Sequence, residues 1–143
     1  NPFGLNPDDP NGQDDVLVEG DDLHLPIDKP VEVLLRSIDV LHDFYVPQFR
    51  AKMDMVPGMI TYFWLTPTRT GTFDIMCFEL CGVGHYTMRG NVVVETKDSF
   101  EEWMSEQETF AQTMARAENK PGQTASLVLR SMSKDKRKER AEK

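Results

Sequence analysis

Between residues 77 and 88 the chain reads Cys77-Phe78-Glu79-Leu80-Cys81-Gly82-Val83-Gly84-His85-Tyr86-Thr87-Met88. These twelve residues hold both cysteines of the chain, one of its three histidines, a methionine and a glutamate. Thiolate, imidazole and thioether are soft donors, and softness selects copper, zinc or iron-sulfur over magnesium or calcium. The thioether favours copper. A mononuclear blue-copper site takes one Cys, two His and a weak axial Met, so a second cysteine four residues beyond the first is surplus. Two thiolates argue for two metals. If both sulfurs bridge, each ion needs one imidazole and one weaker donor, and an electron spread over both ions changes little geometry on arrival. Such a centre suits electron transfer rather than substrate binding.

One more imidazole is required, and His24 and His42 are the candidates. His42 ends an apolar run ahead of Asp43, Phe44 and a proline-terminated loop, where an imidazole can emerge from a core toward a neighbouring loop. It is taken as the ligand. His24 lies between Leu23 and Leu25 at the edge of an acidic segment and reads as an ordinary surface or edge-strand histidine. Met53, Met55 and Met59 read as fillers of irregular gaps, not as copper scavengers.

The elements that must position these donors are short strands. Val31 to Ser37, Asp39 to Val46, Ile60 to Leu65, Thr72 to Met76 and Asn91 to Thr96 are rich in β-branched or aromatic residues, and Pro47, Pro67, Gly71, Gly82, Gly84 and Gly90 punctuate them. Many short strands with turn signals predict a β-sandwich or barrel over residues 23–98. From Ser99 the period changes, with Phe100, Trp103, Met104, Gln107, Phe110, Ala111 and Met114 at steps of three and four. That spacing predicts one amphipathic helix over 99–118, with Ser99 and Glu102 at capping-box spacing and Lys120-Pro121-Gly122 as its stop. The aromatic and Met stripe is a packing face rather than a cofactor box.

A length of 143 residues and 39% hydrophobic content allow one domain with a sizeable core. The net charge of −8 is uneven: residues 1–28 carry eight acids and no Lys or Arg, while residues 130–143 carry seven basic residues and three acids. Residues 1–22 read as an acidic extended arm rich in turn formers, whose aspartates do not fit an EF-hand spacing, and residues 119–143 as a tail with a basic end. An acidic balance argues against nucleic acid and favours a basic protein partner. No apolar run approaches the ~18 residues that span a bilayer, no signal peptide is visible, and a start at Asn1 suggests a processed, split or trimmed chain.

The run Cys77-x-Glu79-x-Cys81-Gly82-x-x-His85-x-x-Met88, with His42 thirty-five positions before Cys77 in Asp39-Val-Leu-His-Asp-Phe-Tyr-Val-Pro47, resembles the CuA domain of cytochrome c oxidase subunit II. Lys52-Met53-Asp54 and Pro57-Gly58 are similar to the family's segment facing the catalytic subunit. The resemblance covers roughly residues 23–105. It implies a mainly β fold, a cupredoxin-like Greek-key β-sandwich with a C-terminal helix. It further implies that Cys77 and Cys81 bridge two coppers, that His42 and His85 are the terminal imidazoles, and that Met88 and the Glu79 carbonyl are the weak ligands. The Glu79 carboxylate would reach a magnesium ion at the border with subunit I, a hard ligand for a hard ion. The implied function is to accept electrons from cytochrome c and pass them to haem in the catalytic subunit, where oxygen reduction drives proton pumping. The implied location is the outer face of the mitochondrial inner membrane or of the bacterial plasma membrane, with membrane association through partners or a missing anchor. The family's two-helix anchor and the tryptophan-rich stretch through which electrons enter have no counterpart in the sequence, and Met59 stands where an arginine often follows Pro-Gly.

Nitrous-oxide reductase carries a similar CuA domain but typically a tryptophan at the position of Glu79, which favours the oxidase. A structural module with Cys77 and Cys81 in a disulfide or on zinc is the competitor from another class. A hydrolase is disfavoured, because no Gly-x-Ser-x-Gly motif is present and Cys77 with His85 has no further support as a dyad.

Overall fold

The computed structural model describes residues 6, 8–18 and 22–119. The chain divides into two compact units, one of residues 19–106 and one of residues 1–18 with 107–143. The basic tail beyond Asn119 and the first residues of the acidic arm lie outside the described residues.

The larger unit is a two-sheet β-sandwich. Strands β1 (Leu23–Pro26), β2 (Val31–Leu35), β3 (His42–Val46), β4 (Ala51–Met55), β5 (Thr61–Leu65), β6 (Gly71–Cys77) and β7 (Arg89–Glu95) form a five-stranded sheet in the order β1-β7-β6-β3-β4 and a two-stranded sheet β2-β5. Consecutive strands β4, β5 and β6 pass from the large sheet to the small one and back, the crossing that makes the arrangement a Greek-key sandwich. Ring contact between Phe44 of β3 and Phe63 of β5, centroids 5.9 Å apart, joins the sheets across the core.

Alternation along the strands sets what is buried. Val92 and Val94 of β7 are 0% and 2% exposed and meet Leu25 of β1 and Val46 of β3, with Phe44, Phe73, Ile75 and Leu65 packed around them. β1 runs parallel to β7, Leu23 facing Val92 and Leu25 facing Val94. The expected strand regions all contain strands, and the sequence pattern passed over β1 and β4 as separate elements because each is short and interrupted by charge or proline. Met53 and Met55 fill half-buried positions of β4, whereas Met59 is 59% exposed and fills no gap.

The predicted helix over 99–118 is two helices, α1 (Lys97–Glu106) and α2 (Phe110–Asn119). Thr96, not Ser99, caps α1, its hydroxyl accepting from the Ser99 amide at 3.4 Å. The break has a local cause. Thr109 and Gln112 form a reciprocal capping box, with Thr109 N donating to Gln112 Oε1 at 2.9 Å and Gln112 N to Thr109 Oγ1 at 3.3 Å, and this starts a second helix. Three-and-four spacing cannot register such an interruption, because the apolar stripe continues through it. On the larger unit, α1 lies on β1: Trp103 stacks on His24 with centroids 4.3 Å apart and planes at 8°, and Phe100 packs beside Trp103.

In the second unit, the described part of the acidic arm is more ordered than an extended segment. Asp9 caps a 3-10 turn at Pro10–Gly12, and Val16 bridges Thr109. Amides of Phe110 and Ala111, free at the start of α2, donate to the carbonyls of Asp15 and Gln13 at 2.7 and 3.1 Å.

The packing separates core from surface leucines. Leu25→Ala is expected to destabilise the chain by about 3 kcal/mol through lost transfer energy and a residual cavity. Leu34→Ala, at a side chain 62% exposed, should stay within about 0.5 kcal/mol. Urea unfolding of both variants checks the pair, and equal effects would contradict this core assignment.

Candidate metal centre

Three elements bring the candidate donors together. His42 opens β3, Cys77 closes β6, and Cys81, His85 and Met88 sit in the loop from β6 to β7. The register places Phe44 opposite Cys77, so His42 lies at the same end of the sheet as the loop. The loop closes on itself, Cys77 N donating to Met88 O at 3.3 Å. A 3-10 turn at His85–Thr87 follows, with His85 N on Gly82 O and Thr87 N on Gly84 O at 3.1 and 3.0 Å. Gly82 has φ +129°, a conformation that side chains with a Cβ rarely adopt, which accounts for glycine after Cys81.

The sulfurs form the middle of the cluster. Cys77 Sγ and Cys81 Sγ are 3.7 Å apart, both free thiols and far beyond the ~2.05 Å of a disulfide. His42 Nδ1 lies 3.8 Å from Cys77 Sγ, and His85 Nδ1 lies 3.5 Å from Cys81 Sγ. Weaker donors follow the same division: the Cys77 thiol donates to the Glu79 carbonyl at 3.3 Å, and the Cys81 thiol to Met88 Sδ at 3.3 Å. Donor atoms of His42, Cys77 and Cys81 all fall within 4.8 Å of one another, and His85 joins from the side of Cys81, outside that group. Each of the six positions singled out in the sequence therefore contributes an atom here.

His24 takes no part. Its Nδ1 is 2.9 Å from Glu95 Oε2 and its ring is stacked on Trp103, so it is a packed edge-strand residue with a carboxylate partner, not a surface histidine.

Asp39 was not among the residues singled out. Its Oδ1 is 2.8 Å from His42 Nε2, leaving Nδ1 to face the thiol. A carboxylate behind a ligating imidazole is the usual way a ring is oriented, and the acid three residues before the histidine was the available signal. The hydrogen bond with His42, then the Val40 backbone, hold Asp39 down to about 2, and the same bond, then Cys77, raises His42 above its usual range.

The two thiols are driven apart. Burial opposes ionisation of Cys77, but backbone groups of Asp43 and Glu79 and hydrogen bonds from His42 and His85 outweigh it and bring the thiol down to about 6. Burial, then the adjacent Cys77, push Cys81 up. An acid whose folded value is depressed contributes stability above its unfolded value, near 9.0, and loses it as pH falls through about 6. Thiolate absorbance of the metal-free chain should consequently rise in two separate steps of one thiol each, the first near pH 6 and the second above the ordinary thiol range. A single two-thiol step near pH 9 would show that the cluster does not act on Cys77.

The profile of the family described as cytochrome c oxidase subunit II, periplasmic domain, matches residues 6–97. The alternative cytochrome c oxidase subunit 2 of Bradyrhizobium diazoefficiens is 68% identical over 111 residues, 78% of this chain and 40% of that protein. Among solved structures, the periplasmic domain of subunit II of cytochrome oxidase of Bradyrhizobium japonicum superposes with a TM-score of 0.57 at 32% identity, over 59% of this chain and 62% of that one. A chain of a haem-copper terminal oxidase dimer gives a TM-score of 0.51 at 28% identity, over 54% of this chain and 53% of that one. The chain spans well under half the length of the curated relatives it matches. With the profile covering most of its residues, this chain belongs to the family of cytochrome c oxidase subunit II periplasmic domains.

Proposed function

We propose that this chain is the copper-bearing electron-transfer domain of a cytochrome c oxidase, holding a dinuclear CuA centre. The observation that carries the reading is the arrangement of two free thiols 3.7 Å apart, one with the His42 imidazole at 3.8 Å and the other with the His85 imidazole at 3.5 Å. A single tetrahedral zinc takes four donors, whereas six donor atoms converge here, one imidazole and one weaker donor beside each thiol. The donor set would hold two soft ions through the thiolates of Cys77 and Cys81 and the imidazoles of His42 and His85, with Met88 and the Glu79 carbonyl as weak donors. When bound, such a centre supplies a one-electron couple delocalised over both ions.

The chain's own residues prepare that couple. Asp39 holds the His42 ring, the loop backbone holds Glu79 O and Met88 Sδ against the thiols, and the lowered Cys77 thiol gives one thiolate at neutral pH. Within the complex the domain would carry electrons from cytochrome c toward haem in catalytic subunit I, which reduces oxygen and pumps protons. The Glu79 carboxylate would meet magnesium at the border with that subunit. The domain would work on the outer face of the membrane, and no helix among the described residues is long and apolar enough to cross one.

The loop surface bears on docking. Ile38, Leu80, Val83 and Tyr86 are 83%, 79%, 94% and 77% exposed around the thiols, and Glu79 is the one acid between residues 78 and 88. Contact at the loops is therefore mainly apolar, with Asp39, its side chain 71% exposed beside His42, and Glu79 as the acids of this surface, and wider acidic steering of a basic cytochrome would come from elsewhere on the chain.

Metal analysis of the chain tests the reading: two coppers per chain with a mixed-valence electron-spin signal are expected, and one zinc or no metal rejects it. Asp39→Ala should lower copper affinity by roughly ten-fold or more while leaving the fold unchanged. Affinity equal to that of the wild type in a competition titration would remove Asp39 from the centre.

A further inference from the structure

The outer face of β3 and β4 carries a charge placed directly beside the metal loop. Asp43 is 2% exposed and lies opposite Asp54 in the β3–β4 register; burial, then Asp54, push its carboxyl up, and Lys52 Nζ at 3.2 Å from Oδ2 is the cation that opposes them. Lys52 lies across from Tyr45 in the β3–β4 register. Its ammonium is also 5.3 Å from the centroid of Phe78, the residue between Cys77 and Glu79, and the Phe78 ring packs on Tyr45 at 4.8 Å. Asp54 and Glu79 add their fields to the same ammonium. One cation thus faces a buried carboxylate, an aromatic ring of the loop and the acid that follows it.

Phe78 is 58% exposed, so burial alone does not hold it. What holds it is the ring of Tyr45 on one contact and the Lys52 charge on another, an arrangement in which the ring quadrupole attracts the cation. The buried Asp43 carboxylate in turn keeps Lys52 from swinging out to water, because losing its partner would leave an uncompensated buried charge. Fixing Phe78 fixes the peptide from Cys77 to Glu79, and with it the Glu79 carbonyl at 3.3 Å from Cys77 Sγ. We propose that Lys52 is a positioning residue for the metal loop, clamping Phe78 over the Asp43 ion pair so that Cys77 and the Glu79 carbonyl keep their mutual geometry. This inference rests on the copper reading for its consequence, but the clamp itself is a property of the metal-free chain.

The test uses the full chain, first metal-free, with amide hydrogen exchange as the readout. Lys52→Met and Phe78→Leu should each speed exchange at residues 78–81 by about ten-fold while Val92 and Val94 in the core keep wild-type protection. Lys52→Arg retains the charge over the ring and should restore the loop. Unchanged exchange at 78–81 in Lys52→Met overturns the proposal, whatever Phe78→Leu does. If Lys52→Met also loses protection at Val92 and Val94, the double variant Asp43→Asn with Lys52→Met, which buries no charge, decides by the same comparison. After copper loading, Phe78→Leu should release copper to a chelator about ten-fold faster and shift the copper hyperfine pattern, as loss of an outer partner does, and wild-type release with an unchanged spectrum counts against the clamp. Copper content of the wild type, measured in parallel, judges the metal reading separately: no copper with a loosened variant loop removes that reading and retains the role of Lys52.

Discussion

The register of β3 against β6 is the constraint on which the site depends. Phe44 faces Cys77 and Tyr45 faces Met76. A slip of one residue would turn every side chain of β3 to the opposite face, sending His42 away from the thiols and Asp43 into the apolar interior. The register is held by what lies inward: Val46 is fully buried, and Phe44 reaches across to Phe63 of the other sheet. The core therefore does more than stabilise the sandwich; it sets which imidazole meets which sulfur.

Around this rigid end the loop from β6 to β7 is short and braced at several points. Its two ends are tied by the Cys77 and Met88 backbones, its middle is turned at Gly82, and its outer flank rests on Tyr45 and Lys52. Donors fixed before an ion or electron arrives need little rearrangement afterwards. The same bracing accounts for the exposed apolar tips, since Leu80 and Val83 point away from a backbone that cannot fold them inward.

The legibility of these features in the sequence follows the range of the interactions. The donor cluster was readable because five of its six positions lie in one local run, and His42 because an apolar strand ends beside it. The sandwich was readable from period and punctuation. Asp39, Lys52 and Phe78 were not, for different reasons: a carboxylate near a histidine is common in any acidic chain, and the Lys52 contacts exist only once β3 and β4 are paired. The helix break was hidden because Thr109 and Gln112 sit on a stripe whose apolar spacing is uninterrupted, and a capping box competes with helix continuation only where other partners take up the freed amides. Those partners, the carbonyls of Gln13 and Asp15, are nearly a hundred residues distant in the chain.

That distance has a consequence for the order in which the protein folds. The strands of the sandwich all lie within residues 19–106, and even its longest-range pairing, β1 with β7, closes inside that span. The segment around Asp15 precedes the sandwich in sequence, whereas its partners at Thr109 to Ala111 follow it. Contacts of such high sequence separation form late and slowly. The contacts of Asp15 and Val16 with Thr109 to Ala111 thus follow the folding of residues 19–106, and the thiols of Cys77 and Cys81 are in place before those contacts close.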